Sequence, residues 1–317
     1  MTSHSIPKIL LIHVGMPKAA STSLQKSLFF SSKEIEAFKK KKSNALYKLA
    51  TLTSYNFEKQ KEDIKQEILK QFSGKKPAII TEEMFLYGRA EQKEKFIVYS
   101  SYQEIAKRLN DLFPNAKILI IIRNQLKWLP SAYSEWCKAG FLNHRQFSSF
   151  ADNLLEAYQT GCNTTYNSLK YDIIYTNYCD LFGKENVYIE LFETFIGDQE
   201  ASIRKMMDFL GIDSTKVLES FQPIHSNARP TVMELFIRKI NREYGQSNII
   251  KRLKKLLGCE STGILKLIQS LPVSNRRVKN TLTEEQNKLF SEHFASSNSR
   301  LKKLTGLPLG NYGYPLK

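Results

Sequence analysis

The chain has 317 residues, 42% hydrophobic and 11% aromatic, which is enough apolar material for a sizeable core and excludes general disorder. Its 47 lysines and arginines against 31 acids give a formal charge of +16, so the expected partner is anionic: a nucleotide, a nucleic acid, a membrane surface or an acidic glycan. Four scattered cysteines (Cys137, Cys162, Cys179, Cys259) form no CxxC pair and no metal-ligand spacing, and no run reaches eighteen apolar residues. A zinc site, a disulfide scaffold and a membrane-spanning helix are therefore not expected, and a cytoplasmic protein with reduced thiols is.

Taken in order, "KILLIHVG" (8–15) reads as a buried parallel strand, with an apolar run too short for a signal segment. A small-residue turn follows, then a helix over 22–30, which makes the first half of a βαβ unit. Residues 33–76 are lysine-rich and read as solvated helices with an apolar stripe at Ile64, Ile68 and Phe72. "KKPAIITEE" (75–83) reads as a second strand ending in Glu82 and Glu83, and helical periodicity returns over 101–113. "NAKILIIIRN" (115–124) is the clearest central strand and ends in Arg123. A helix with Pro130 in its first turns runs towards Gly140, a C-cap candidate. A helix over 166–183, a strand "NVYIELFE" and a helix over 198–212 follow. Alternation of this kind predicts an α/β fold: a mostly parallel sheet flanked by helices on both faces, of the P-loop nucleotide-binding type.

Beyond Phe221 the strand signal stops. From Arg238 to Lys279 there are eleven basic residues against two acids, and "NIIKRLKKLLG" (248–258) is an amphipathic helix pattern. Thr283 and Gln286 have the spacing of a capping box at the start of the last helix. With no repeat and no linker, one domain over 1–317 is expected, carrying a basic helical subregion at 230–280.

The chemistry concentrates in "GMPKAASTSL" (15–24). In a doubly wound sheet, ligands bind beyond the C-terminal strand ends, where a helix N-terminus offers N–H groups and positive dipole. Small residues let the backbone wrap an anion, Lys18 adds charge, and Ser21, Thr22 and Ser23 add hydroxyls. A nucleoside-triphosphate loop would read GxxxxGK[ST] with the lysine directly before the hydroxyl residue. Here Lys18 stands three residues before Ser21, and the central strand ends in Arg123 rather than a magnesium-holding aspartate, which disfavours a kinase.

"PKAASTSL" (Pro17–Leu24) is similar to PKxGTxxL, and "IIIRNQLKWLPSAY" supplies an arginine ending a central strand with a serine, Ser131, eight residues on. On these two signatures, about a hundred residues apart, the chain resembles the sulfotransferases that use 3′-phosphoadenosine 5′-phosphosulfate (PAPS), in particular the bacterial and Golgi-type carbohydrate branch. The likeness covers most of the chain, least at 33–75 and 235–280. Ala20 stands where the pattern has glycine, and an alanine fits there provided its φ stays negative.

The resemblance implies PAPS as co-substrate, with no metal required. It implies that Pro17, Lys18, Ala19, Ala20, Ser21, Thr22 and Ser23 surround the 5′-phosphate, with Lys18 on the bridging oxygen. Arg123 and Ser131 hold the 3′-phosphate, and Arg229 lies where the family chain returns near the nucleotide. Glu83 is the preferred base for the acceptor, with Glu82 and His13 as alternatives; a histidine inside "LLIHVG" otherwise reads as a core residue. The implied acceptor is a hydroxyl or amine of a carbohydrate, such as an anionic or lipid-linked glycan, reached at the inner membrane face through the basic helices and without nucleic acid. A kinase-like P-loop transferase and a basic membrane- or nucleic-acid-binding module are the competing readings.

Overall fold

The computed structural model describes residues 7, 10–39, 43–86, 100–139, 143–162, 165–222, 231, 234–235 and 280–317. The backbone forms two compact units, one of residues 1–125, 163–226 and 291–317, the other of 126–162 and 227–290.

The first unit is built on five parallel strands: β1 (Leu10–Gly15), β2 (Glu36–Ala37), β3 (Ala78–Thr81), β4 (Lys117–Ile122) and β5 (Val187–Leu191), in the order β2-β3-β1-β4-β5. Ile118 to Ile122 are completely buried, which is why this strand is a continuous apolar run without alternation. Each such side chain contributes about 1.5–3 kcal/mol on burial. The sheet is flanked by α1 (Ser21–Leu24), α2 (Ala45–Thr51), α3 (Ser54–Leu69), α4 (Tyr102–Leu112), α7 (Tyr171–Phe182), α8 (Phe192–Gly197), α9 (Gln199–Leu210) and α10 (Ser214–Glu219). The α/β class with a parallel sheet is as the alternating pattern predicts.

Two local differences from the sequence reading stand out. The segment after the turn is not one α-helix: after α1 it widens to a π-helical turn over Gln25–Phe29, closed by Phe30 N–H on Gln25 O at 2.9 Å. The lysine-rich 33–76 stretch is not all helix, because Glu36 and Ala37 pair with β3 as an edge strand before α2 and α3 begin. The stripe of Ile64, Ile68 and Phe72 is buried as its spacing predicts.

The second unit holds most of α5 (Gln125–Ala139), α6 (Phe147–Gln159) and the start of the closing helix (Glu284–Thr305). Tyr133, Cys137, Phe147 and Leu235 form its core, joined by Trp136, Phe150 and Leu282. At the closing helix Thr283 and Gln286 bond reciprocally, Oγ1 accepting from Gln286 N–H at 3.1 Å and Oε1 accepting from Thr283 N–H at 3.0 Å. That is the predicted capping box. Gly140, Arg229 and the 248–258 run lie outside the described residues, as does nearly all of 230–280. Among the described residues no helix is long and apolar enough to cross a membrane.

Candidate active site

The chain leaves β1 for β2 and β3 on one side and returns to β4 on the other, so the order reverses between β1 and β4. The crevice beyond the C-terminal ends of these neighbouring strands is where such sheets bind ligands. The Gly15–Ser23 loop and Arg123 both emerge there.

Gly15 has φ 139°, and a Cβ on it would sit 2.8 Å from the Glu83 carbonyl oxygen, so only glycine lets β1 pass the Glu83–Phe85 turn. Met16 N–H then bonds Ile121 O at 2.8 Å and ties the loop to β4. Lys18 and Ala20 both take φ 62°. The expectation of a negative φ at Ala20 therefore does not hold: the alanine adopts the left-handed conformation itself, at about 1–2 kcal/mol of local strain.

This backbone alternation has a chemical consequence. Ala20 is left-handed, and the residues from Ser21 are helical, a pairing that turns successive N–H groups into one anion-accepting hollow. No side chain caps the helix at Ala20. Its first bond runs from Leu24 N–H to Ala20 O at 3.0 Å, so the N–H groups of Ser21, Thr22 and Ser23 have no intrahelical acceptor. Lys18, Pro17, Ala20 and Thr22 are half-buried at this surface, while Ala19, Ser21 and Ser23 are buried. The Ser23 hydroxyl has no hydrogen-bond partner among the described residues.

Arg123 follows the last residue of β4. Its Nη1 donates to Lys18 O at 2.9 Å, and its guanidinium lies 4.4 Å from the centre of the Phe192 ring. The structure thus brings the N-terminal loop and the strand-end arginine together. Ser131 belongs to the second unit, where it is half-buried on α5.

The two carboxylates differ in use. Glu82 N–H extends the β3 ladder by bonding His13 O at 3.0 Å, and its Oε1 accepts from Met84 N–H at 3.2 Å, capping the Glu83–Phe85 turn. Glu83 is the first residue of that turn and is half-buried. His13 is fully enclosed, its Nδ1 2.9 Å from Thr81 Oγ1, which also accepts from Gln25 Nε2 at 3.1 Å.

Several participants carry no marker in the sequence reading. Asn124, Tyr171, Glu193 and Tyr314 surround Arg123: Tyr171 Oη donates to Arg123 O at 2.7 Å, Asn124 N–H to Glu193 Oε1 at 3.1 Å, and Tyr314 Oη to Glu193 Oε2 at 2.9 Å. Burial raises the pKa of both tyrosines and keeps them protonated donors. Glu193 had one available signal, its place just past the C-terminal end of β5.

A sequence profile described as the sulfotransferase family matches residues 11–216. No curated protein matches the sequence. Among solved structures, a sulfotransferase from Alicyclobacillus acidocaldarius is 20% identical, with 80% of this chain and 98% of that one covered and a TM-score of 0.49. Mouse sulfotransferase SULT7A1, complexed with PAP, is 15% identical, with 98% and 89% covered and a TM-score of 0.40. The sulfotransferase domain of the curacin biosynthetic pathway is 12% identical, with 80% and 99% covered and a TM-score of 0.39. The profile match alone spans well over half of the chain, from β1 into α10, and takes in the Lys18 loop, both glutamates and Arg123. The chain belongs to the sulfotransferase family.

Proposed function

We propose that this sulfotransferase moves a sulfuryl group from PAPS to a hydroxyl or amine of a carbohydrate, in the cytoplasm or at the inner membrane face. The observation that carries the donor assignment is the 2.9 Å contact of Arg123 Nη1 with Lys18 O, which supports a single site offering two separate sets of cationic and N–H donors. PAPS is anionic at both ends, and the residues fit it: the hollow at Ala20–Ser23 suits the 5′-phosphate, and the planar cationic guanidinium of Arg123 suits the 3′-phosphate. Bound there, PAPS supplies an activated sulfuryl group whose departure leaves charge on a phosphate oxygen.

The chain's own residues do the rest. Pro17, Ala19 and Ala20 shape the loop; Ser21, Thr22 and Ser23 with their N–H groups hold the 5′-phosphate. Lys18 neutralises the bridging oxygen as it becomes a leaving group. The family resemblance assigns Ser131 a phosphate contact and Arg229 a further cation. Glu83 accepts the acceptor's proton, since Glu82 is committed as a cap and His13 is enclosed in the core. The charge of +16 supports an anionic or lipid-linked glycan acceptor.

Calorimetric titration with 3′-phosphoadenosine 5′-phosphate (PAP) tests the donor site. A micromolar dissociation constant that weakens in Arg123→Ala is expected; one of about 1 mM or weaker, unchanged by the substitution, overturns the proposal. Transfer of labelled sulfate from PAPS to phenols alone, with mono- and polysaccharides inert, overturns the carbohydrate acceptor.

A further inference from the structure

We infer that the C-terminal tail is a positioning element of the donor site, acting through Glu193 and Asn124 to hold Arg123 in place. The inference rests on the PAPS reading above, and concerns residues beyond the segment that the family profile matches, which ends at 216.

The peptide of Arg123 is gripped on both sides. Its carbonyl accepts from Tyr171 Oη at 2.7 Å, and the next N–H, that of Asn124, donates to Glu193 Oε1 at 3.1 Å. Two fixed ends set the direction in which the Arg123 side chain leaves the strand, over the Phe192 ring and onto Lys18 O. Phe192 and Glu193 are neighbours at the start of α8, so anything that fixes Glu193 also fixes the ring beneath the guanidinium.

The tail supplies that fixing. Tyr314, 3% exposed, donates to the second oxygen of Glu193 at 2.9 Å, so one carboxylate joins the end of β4 to the chain terminus. Asn124 Nδ2 donates to Gly313 O at 2.7 Å and Tyr312 O at 3.2 Å, using both amide hydrogens on consecutive carbonyls. The left-handed φ of 71° at Gly313 makes this turn, a conformation glycine adopts without strain. Asn124 and Gly313 are 189 positions apart, and each of these bonds is partly buried, where the local dielectric strengthens it over one in open water. The effect of the tail on the donor site passes through Arg123.

A double-mutant cycle between Tyr314→Phe and Arg123→Ala, read by calorimetric PAP titration of the full chain, tests this. Tyr314→Phe removes one hydroxyl and keeps the ring. In the Arg123 background it is expected to weaken PAP binding about tenfold and to raise the KM for PAPS with the acceptor KM unchanged; in the Arg123→Ala background the effect falls below about twofold. If Tyr314→Phe does not fold, Glu193→Gln replaces it in the same cycle. Unchanged affinity, or an equal loss in both backgrounds, overturns the positioning role while leaving the PAPS site intact. A wild-type chain that does not bind PAP overturns both.

Discussion

The Arg123 guanidinium donates to the main-chain carbonyl of Lys18, at 2.9 Å and across 105 positions of sequence. Guanidinium carries its N–H donors in a rigid planar fork, so one arginine can hold this carbonyl while its plane rests on Phe192. The contact also explains how Lys18 persists with φ 62°: its carbonyl is aimed at a fixed charged donor.

Arg123→Lys separates charge from geometry. An ammonium keeps the charge but lacks the fork and the stacking plane, so it cannot serve the loop and a phosphate together. PAP affinity is expected to drop about tenfold or more, with a loss of about 1–2 kcal/mol in urea-melt stability as the Lys18 carbonyl loses its partner. Wild-type affinity in Arg123→Lys would mean that charge alone matters here.

Ala20→Gly is expected to stabilise the protein. The left-handed conformation costs alanine about 1–2 kcal/mol, whereas glycine's greater freedom in the unfolded chain costs about 0.5–1 kcal/mol, leaving a net gain of about 0.5–1 kcal/mol. Turnover is unaffected, because no Ala20 side-chain group has a chemical role. Urea melts decide it: a destabilised Ala20→Gly would mean that the native φ at this position is negative.

The sheet was legible because its strands are short apolar runs bounded by turns, as in "KILIII", and because a strand-end arginine and a lysine-bearing turn have local signatures. The left-handed Ala20 was not, since alanine gives no sign of positive φ where glycine would. Nor was the π-helical turn, or the bond from Gln25 at its start to Thr81, 56 positions away. The shell around Arg123 comes from Tyr171, Glu193 and the tail; such long-range partners leave no trace in a local pattern. The enclosure of His13 follows from its place on β1, where every residue is buried.

Burial and the nearby Lys170 ammonium lower His293 from 6.5 to about 4. With the folded pKa below the unfolded one, the unfolded chain takes up the proton first as pH falls. Stability from this group is complete above about pH 6.5 and is lost towards pH 4. Thermal midpoints measured from pH 7 to 4.5 should therefore fall more steeply in the wild type than in His293→Gln. Parallel curves for the two would show that His293 titrates normally in the folded protein.

Glu82 and Glu83 are adjacent carboxylates with different environments, and exchanging them separates capping from catalysis. Glu82 Oε1 accepts from Met84 N–H at 3.2 Å, so Glu82→Ala is expected to cost about 1 kcal/mol of stability and to change turnover less than about threefold. Glu83→Gln keeps size and hydrogen bonding but removes the base, so kcat is expected to fall by about 10²–10⁴ with PAP affinity unchanged. The distinction rests on the work Glu82 already does as the cap of the turn. A carboxylate that accepts a backbone N–H is held in the turn and cannot reach an acceptor without giving up its cap. If Glu82→Ala abolished turnover while Glu83→Gln retained it, the base would be Glu82, and the cap would have to open for the acceptor to bind.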